Sequence, residues 1–371
     1  MQTDMGYCLR SALLLALATL PTACTLADSA PAGEEAPIPV EITLETGAVL
    51  KDGSAPVPGR PDGLSVLRGG AYLLTDYSDK NLKIYAPDGE RLRTIGRVGR
   101  GPGEFVALNS AQAYDDSIMA YDFNGSRITI FNAAGQVARS MAVRGPAGQR
   151  VWSVRVVDDS LFLLVSTPIG AHDKDLLTLI RPDGKVLASF FNRSSFFGGD
   201  PQVIQSTAIE ADGRDGWIFA GQIGGDSIFA FDYAGKLRAS GPVDPIQPLT
   251  TVRTLLESNG GKPRRPDGSW VFHDNRNLIR VVALNDGQTA LHVARYDTEV
   301  GTDPLAGGTI LLATVHGKRV RVLGRGELPA ALLGRSREGE ALLLGYDVDD
   351  HDRYVLARLA VGERVPGGGV R

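Results

Sequence analysis

The chain is poor in the residue types that usually announce chemistry. It has two cysteines in 371 residues, Cys8 and Cys24, and both fall in the first 24 positions. A chain that loses that segment can form no disulfide and no cysteine metal centre. Five histidines are scattered without metal-ligand spacing, His292, His316 and His351 included. No G-x-S-x-G elbow and no Walker A sequence occurs. Gly96, Gly99 and Gly101 superficially suggest a nucleotide loop, but no helical pattern follows them, so the phosphate-binding logic fails. The net charge is −4 and the pI about 5.8, which gives no electrostatic footprint for nucleic acid. After Leu20 no apolar run is long enough to span a bilayer as a helix.

What the chain has in excess is turn residues. Its 45 glycines and 21 prolines lie between apolar runs rather than in one block, the pattern of many short strands. The stretch Ile95-Gly-Arg-Val-Gly-Arg-Gly-Pro-Gly-Glu-Phe105 cannot continue a helix or a strand, so it joins two units.

The units repeat. Apolar run, polar loop, alternating run, turn and charged run recur with turn glycines at Gly89, Gly135, Gly184 and Gly235. Repetition of strand–turn–strand units at this length predicts small sheets arranged radially. The third strand of each unit alternates, as in Leu82 and Ile84 against Lys83 and Tyr85, and packs one face on a neighbouring sheet. The fourth, such as Glu90 to Ile95, is charged enough for an outer edge. Innermost strands are predicted at 62–67, 105–114, 151–157 and 203–210. A fifth unit is read over 278–323 and a sixth over 330–361. The sixth lacks one strand, and the orphan alternating segment Val40 to Leu44 would complete it, closing the ring and hiding both edges. The count is six, with seven as the alternative because 241–277 is long enough to conceal more. Within that insertion, Leu249 to Ser258 has helical spacing and ends before Gly260-Gly261.

The N-terminus reads as a targeting segment. Ser11 to Leu20 is an apolar run behind Arg10 with the length of a signal-peptide core; a start at Met5 would remove Asp4 and sharpen it. Leu20-Pro-Thr-Ala-Cys24 resembles a bacterial lipobox, with Pro21 departing from its usual leucine. Cys24 is then the expected lipidation site; cleavage after Ala23, Ala27 or Ala30 by the ordinary peptidase is the competing reading. Residues 25–37 are small, acidic and proline-bearing, as a flexible tether is. The expected organisation is a signal segment at 1–24, the tether, an all-β six-bladed propeller of four-stranded antiparallel blades over 38–365, and a disordered tail at 366–371.

The repeated unit joined by Gly-Arg-Gly-Pro-Gly-Glu-Phe (99–105) resembles the NHL-related six-bladed β-propellers of bacterial envelopes. The resemblance is clear over 57–240. It implies a fold and an envelope location, in the periplasm or on the outer membrane by a lipid anchor. It implies no activity, since propellers carry lactonases, lyases and pure binding modules alike.

Candidate site residues follow from the topology. Loops between second and third strands share a face with the joints between blades. Arg97 and Arg100, with Arg144, Arg193, Arg264 and Arg265, would stand there and could grip an anion, or simply be solvated. Asp76 and Asp122 hold equivalent positions, either as channel carboxylates or as acceptors for their own loops. His273 and Asp274 could reach the mouth. Asp347, Asp349, Asp350 and Asp352 are the densest acidic patch and the weak candidates for Ca²⁺ or another divalent ion, without EF-hand spacing. Two functions stand. One is a monomeric binding or scaffold module for a peptide, glycan or partner protein, the favoured reading. The other is a metal-dependent hydrolase or lyase of lactonase type, for which Glu210, Asn109 and Asp274 are the nameable set.

Overall fold

The computed structural model describes residues 40–52, 59–158, 160–167, 174–192, 209–262, 266, 276–295, 307–346 and 353–363. Turn glycines with positive φ cut the chain into short antiparallel strands, as at Gly89 (φ 88°) and Gly235 (φ 77°). Among the described residues the strands form six sets of four, and the short pair Arg97–Val98 and Glu104–Phe105 runs in parallel within the glycine-rich joint. Blade 1 is Pro61–Val66, Tyr72–Asp76, Asn81–Tyr85 and Arg91–Ile95. Blade 2 is Leu108–Tyr114, Ser117–Asp122, Arg127–Phe131 and Val137–Ala142. Blade 3 is Val151–Val157, Leu161–Ser166, Asp175–Ile180 and Val186–Asn192. Blade 4 is Ile209–Arg214, Trp217–Gln222, Ser227–Asp232 and Leu237–Pro242. Blade 5 is Arg276–Ala283, Gln288–Arg295, Gly308–His316 and Arg319–Leu328.

Blade 6 takes Ala330–Arg335, Ala341–Tyr346 and Tyr354–Glu363 from the C-terminal end of the chain. Its outer strand is Val40–Val49, which runs antiparallel to Tyr354–Glu363 from Val40↔Glu363 to Val49↔Val355. The inner strands touch in blade order and the sixth touches the first. The chain is therefore a ring of six blades, a six-bladed β-propeller closed by its N-terminal strand.

The core is divided as the ring requires. Six apolar clusters occupy the six seams between blades. Leu82 and Ile84 belong to the seam with blade 2, while Tyr85 on the opposite face of the same strand belongs to the seam with blade 6. The expectation of one buried face per third strand is corrected here. A blade between two neighbours buries both faces, and even Lys83 is buried. Outer strands are the exposed ones, as in the run Val137–Ala142.

Blade 4 corrects a second expectation. Its inner strand is expected at 203–210, of which 203–208 lie outside the described residues, and the strand continues past the expected end. Only Asp215 (φ 50°) and Gly216 (φ 83°) turn; Ile209–Arg214 is strand, which moves Asp212 into the channel. The insertion after blade 4 contains the helix Val252–Ser258, capped by the Thr251 side chain on the Thr254 N–H. Among the described residues no helix is long and apolar enough to cross a membrane.

The glycine-rich joint between blades 1 and 2 is a self-fastened loop. The Glu104 carboxylate accepts from the Gly101 N–H at 2.8 Å and from Arg97 Nε at 2.9 Å, and the Arg127 guanidinium donates to the carbonyls of Arg100, Gly101 and Glu104. Gly96 is obligatory, because at φ 84° a Cβ would overlap the ring of fully buried Phe105.

Candidate functional site

Inner strands line the channel, and charged side chains on five of them meet across it. Three arginines and three carboxylates arrive from five blades. Arg280 of blade 5 pairs with Asp62 of blade 1 at 3.1 Å. Arg155 of blade 3 pairs with Glu210 of blade 4 at 3.5 Å. Arg335 of blade 6 pairs with Asp212 of blade 4. Arg335 also donates to the carbonyls of Val156 (2.9 Å), Gly213 (3.1 Å) and Ala283 (3.2 Å), so one side chain ties blade 6 to blades 3, 4 and 5. Asp212 in turn accepts from the Gly213 and Ala283 N–H groups at 2.9 and 3.0 Å.

The electrostatics follow from burial. Burial pushes the Glu210 carboxyl above the ordinary range, against the pull of Arg280 and Arg155. Burial opposes the charge on Arg280, but the carboxylates of Asp62 and Glu210 outweigh it and hold its pKa above the usual arginine value. A small void lies among these pairs, lined by Asp62, Gln112, Arg155, Asp212 and Arg280 with their neighbours. Among the described residues no group of three His, Cys, Asp or Glu side chains is placed to hold a metal ion.

Beyond Arg335 the channel widens into a cavity of about 300 Å³, lined by Ser65, Gln112, Asp158, Arg214, Arg335 and Arg337 with their neighbours. These residues end the inner strands or begin the turns after them. The cavity therefore opens on the face opposite the joints between blades. The Arg214 guanidinium donates to Asn285 Oδ1 at 2.5 Å and to the Arg337 carbonyl at 2.8 Å, and Arg337 donates to the Asp115 carbonyl at 3.0 Å. Asp158 accepts from the Asp215 N–H at 2.9 Å and from the Tyr233 hydroxyl. Burial first, then Asp158, drives the Tyr233 pKa upward and keeps that donor protonated.

The residues singled out by sequence are dispersed. Asp76 is fully buried and accepts from the N–H groups of Gly59, Arg60, Ser78 and Asp79 and from Lys83 Nζ at 2.6 Å. Burial opposes its ionisation, but Lys83 and the backbone donors hold its pKa below the ordinary aspartate value. Asp122 accepts from Val106, Ala107 and Gly125 N–H groups. Each carboxylate thus ties a loop between second and third strands to the joint that enters its own blade. Arg97 and Arg100 lie exposed on the glycine-rich joint, and Arg97 is paired with Glu104 at 2.8 Å. Asn109 donates its amide to the Trp152 carbonyl. Arg144 is exposed. Cys24, Arg193, Arg264, Arg265, His273, Asp274, Asp347, Asp349, Asp350 and Asp352 lie outside the described residues. Sequence reading missed the three channel arginines, Asp62 and Asp212. The available signal was a charged residue on the inner strand of every blade except the second.

A family model described as a 6-bladed beta-propeller matches residues 59–143. No curated protein matches the chain. Among solved structures, a member of the DUF4221 family from Bacteroides vulgatus is 11% identical, covers 89% of this chain and 100% of its own, and superposes with a TM-score of 0.58. A Bacteroides fragilis protein described as exported is also 11% identical, with 86% and 95% coverage and a TM-score of 0.56. At that identity both show the fold alone.

Proposed function

We propose that this protein is an exported propeller that serves as a binding or scaffold module in the bacterial envelope, taking a peptide, glycan or partner protein at a mouth of its channel. One observation carries the reading. The channel charges are matched pair by pair, Asp62 with Arg280, Glu210 with Arg155 and Asp212 with Arg335. A ligand therefore meets the ring at a mouth, where the polar cavity lies, rather than at open carboxylates on the axis. A hydrolase or lyase of lactonase type needs such open acceptor oxygens, whereas Glu210 is paired with Arg155; Asn109 gives its amide N–H₂ to the Trp152 carbonyl, and Asp274 lies outside the described residues. The signal segment, the NHL-like joint at 99–105 and the exported Bacteroides neighbour support the location.

The test is metal analysis of the purified mature protein with assays for lactone and ester hydrolysis. The expected outcome is no chelator-sensitive turnover. A stoichiometric divalent ion whose removal abolishes turnover would refute the reading. Lipidation is tested separately with a palmitate analogue: labelling is expected in the natural chain and absent in Cys24→Ala, and equal labelling of both defeats it.

A further inference from the structure

The cavity beyond Arg335 is ringed by polar groups of both kinds. Ser65 comes from the inner strand of blade 1 and Gln112 from that of blade 2; Asp158 lies just past that of blade 3, Arg214 and Asp215 end that of blade 4, and Arg337 follows that of blade 6. Their charges balance. Arg335 in the floor is matched by Asp212. Two carboxylates, Asp158 and Asp215, then stand in the wall with two guanidinium groups, Arg214 and Arg337, and Asp215 is 3.8 Å from Arg214 Nε. Both guanidinium groups already donate to protein acceptors. Donors and acceptors alternate around the wall. The Gln112 amide oxygen accepts from the Val156 N–H at 2.6 Å, which leaves its N–H₂ to donate. Ser65 Oγ and Ser336 Oγ accept from the Ala113 and Glu340 N–H groups, which leaves each hydroxyl hydrogen. Asp158 accepts from the Asp215 N–H and the Tyr233 hydroxyl, and a carboxylate has about four acceptor sites, so it retains capacity. Val66 and Val156 supply apolar surface between these groups.

We infer that this mouth, on the face away from the glycine-rich joint, binds a neutral sugar ring, as a free monosaccharide or as the terminal residue of a glycan. In a wall of balanced charge a charged ligand meets a like charge for every opposite one. A hydroxyl donates and accepts at once, and hydrogen bonds to charged groups are among the stronger ones. A pyranose carries hydroxyls around its edge, as polar groups ring this cavity, and its C–H faces suit the two valines. An amino acid has two opposite poles and leaves most of that circle unmatched. The volume of about 300 Å³ sits at the lower end of small-molecule sites and takes one ring. Arg335 ties blade 6 to blades 3, 4 and 5 beneath it, so a longer glycan enters by its end.

The inference rests on the binding-module reading and specifies its ligand. The test is calorimetry and thermal shift on the whole mature protein. The probes are D-glucose and D-galactose, each beside its uronate and its 2-amino sugar, with lactose and maltose as chain ends and L-serine as a zwitterion. Saturable binding of at least one neutral sugar is expected, tighter than that of its charged counterparts and of L-serine. Free hexoses binding as tightly as the disaccharides assign a monosaccharide; disaccharides binding more tightly assign a glycan end. Asp215→Asn tests the balance of the wall, since asparagine tolerates the φ of 50° there. It should raise the ratio of uronate to neutral affinity about fivefold or more, the pull of one unbalanced charge about 4 Å away in water. Arg337→Gln should raise the ratio of amino-sugar to neutral affinity likewise, and if either variant folds poorly the other carries the comparison. Arg139→Gln, on the exposed outer strand of blade 2, should leave every ratio as it was. Equal or tighter binding of a uronate, an amino sugar or L-serine by the natural chain, unchanged ratios in the folded cavity variants, or no neutral sugar bound at millimolar concentration overturns the inference. Any of these leaves the binding-module reading standing, whereas chelator-sensitive turnover sinks that reading instead.

Discussion

Removing the Arg335 side chain tests whether the channel pairs hold the ring together. In Arg335→Met the Asp212 carboxylate, 3% exposed, keeps two backbone donors but loses its countercharge. The carbonyls of Val156, Gly213 and Ala283 lose a charged donor at the same time. Stripping one partner from a buried ion pair costs about 3–5 kcal/mol. With about 2 cal/mol/K of unfolding entropy per residue, that loss lowers the melting temperature of a propeller of this length by roughly 4–7 °C. Methionine fills much of the arginine stem volume, so the effect reads charge and hydrogen bonding rather than a void. The decisive comparison is Asp212→Asn/Arg335→Met, which removes both charges and keeps an acceptor oxygen. Denaturant unfolding should show the double variant recovering about 1 kcal/mol or more over Arg335→Met alone, the coupling expected of groups in direct contact. A single variant costing under about 1 kcal/mol, or a double variant no better than the single, refutes the reasoning.

Further outcomes follow from buried groups and close backbone contacts. His292 is 1% exposed, and burial lowers its pKa to about 4, so the unfolded chain takes up a proton first as pH falls. Its contribution is whole above about pH 6.5 and is lost as pH drops towards 4, by up to about 3 kcal/mol; His292→Gln should flatten that slope in urea titrations at stepped pH, and an unchanged slope sinks the assignment. Gly334 lies where inner strands of blades 6 and 1 meet, and a Cβ there would overlap the Leu64 carbonyl oxygen. Gly334→Ala should cost roughly 2 kcal/mol or more by overpacking, while Gly362→Ala, with nothing near its Cβ, should stay within about 0.5 kcal/mol. Asp76→Asn leaves Lys83 only Asp79 as partner and should cost about 3 kcal/mol. Because the folded pKa of Asp76 is lowered, its stabilisation is present above the ordinary aspartate value and lost below it; the gap between natural chain and variant should therefore close in acid.

Local chemistry made the architecture legible. Turn glycines, alternating runs and charged outer strands act over a few residues. Their repeat gave the blade count, the short helix and the strand from 40 that completes blade 6. The end of the inner strand of blade 4 was less legible, because pairing with Trp217–Gln222 carries the strand on to Arg214. The candidate site was beyond such reasoning. Its pairs join residues 55, 123 and 218 positions apart, which only closure of the ring brings face to face. A charge on an inward position of one strand carries no local mark of its partner. Composition and period alone settled that this chain is a ring of small sheets. Tertiary structure alone decided which carboxylates lie beside which arginines, since burial makes that pairing matter and closure sets the distances.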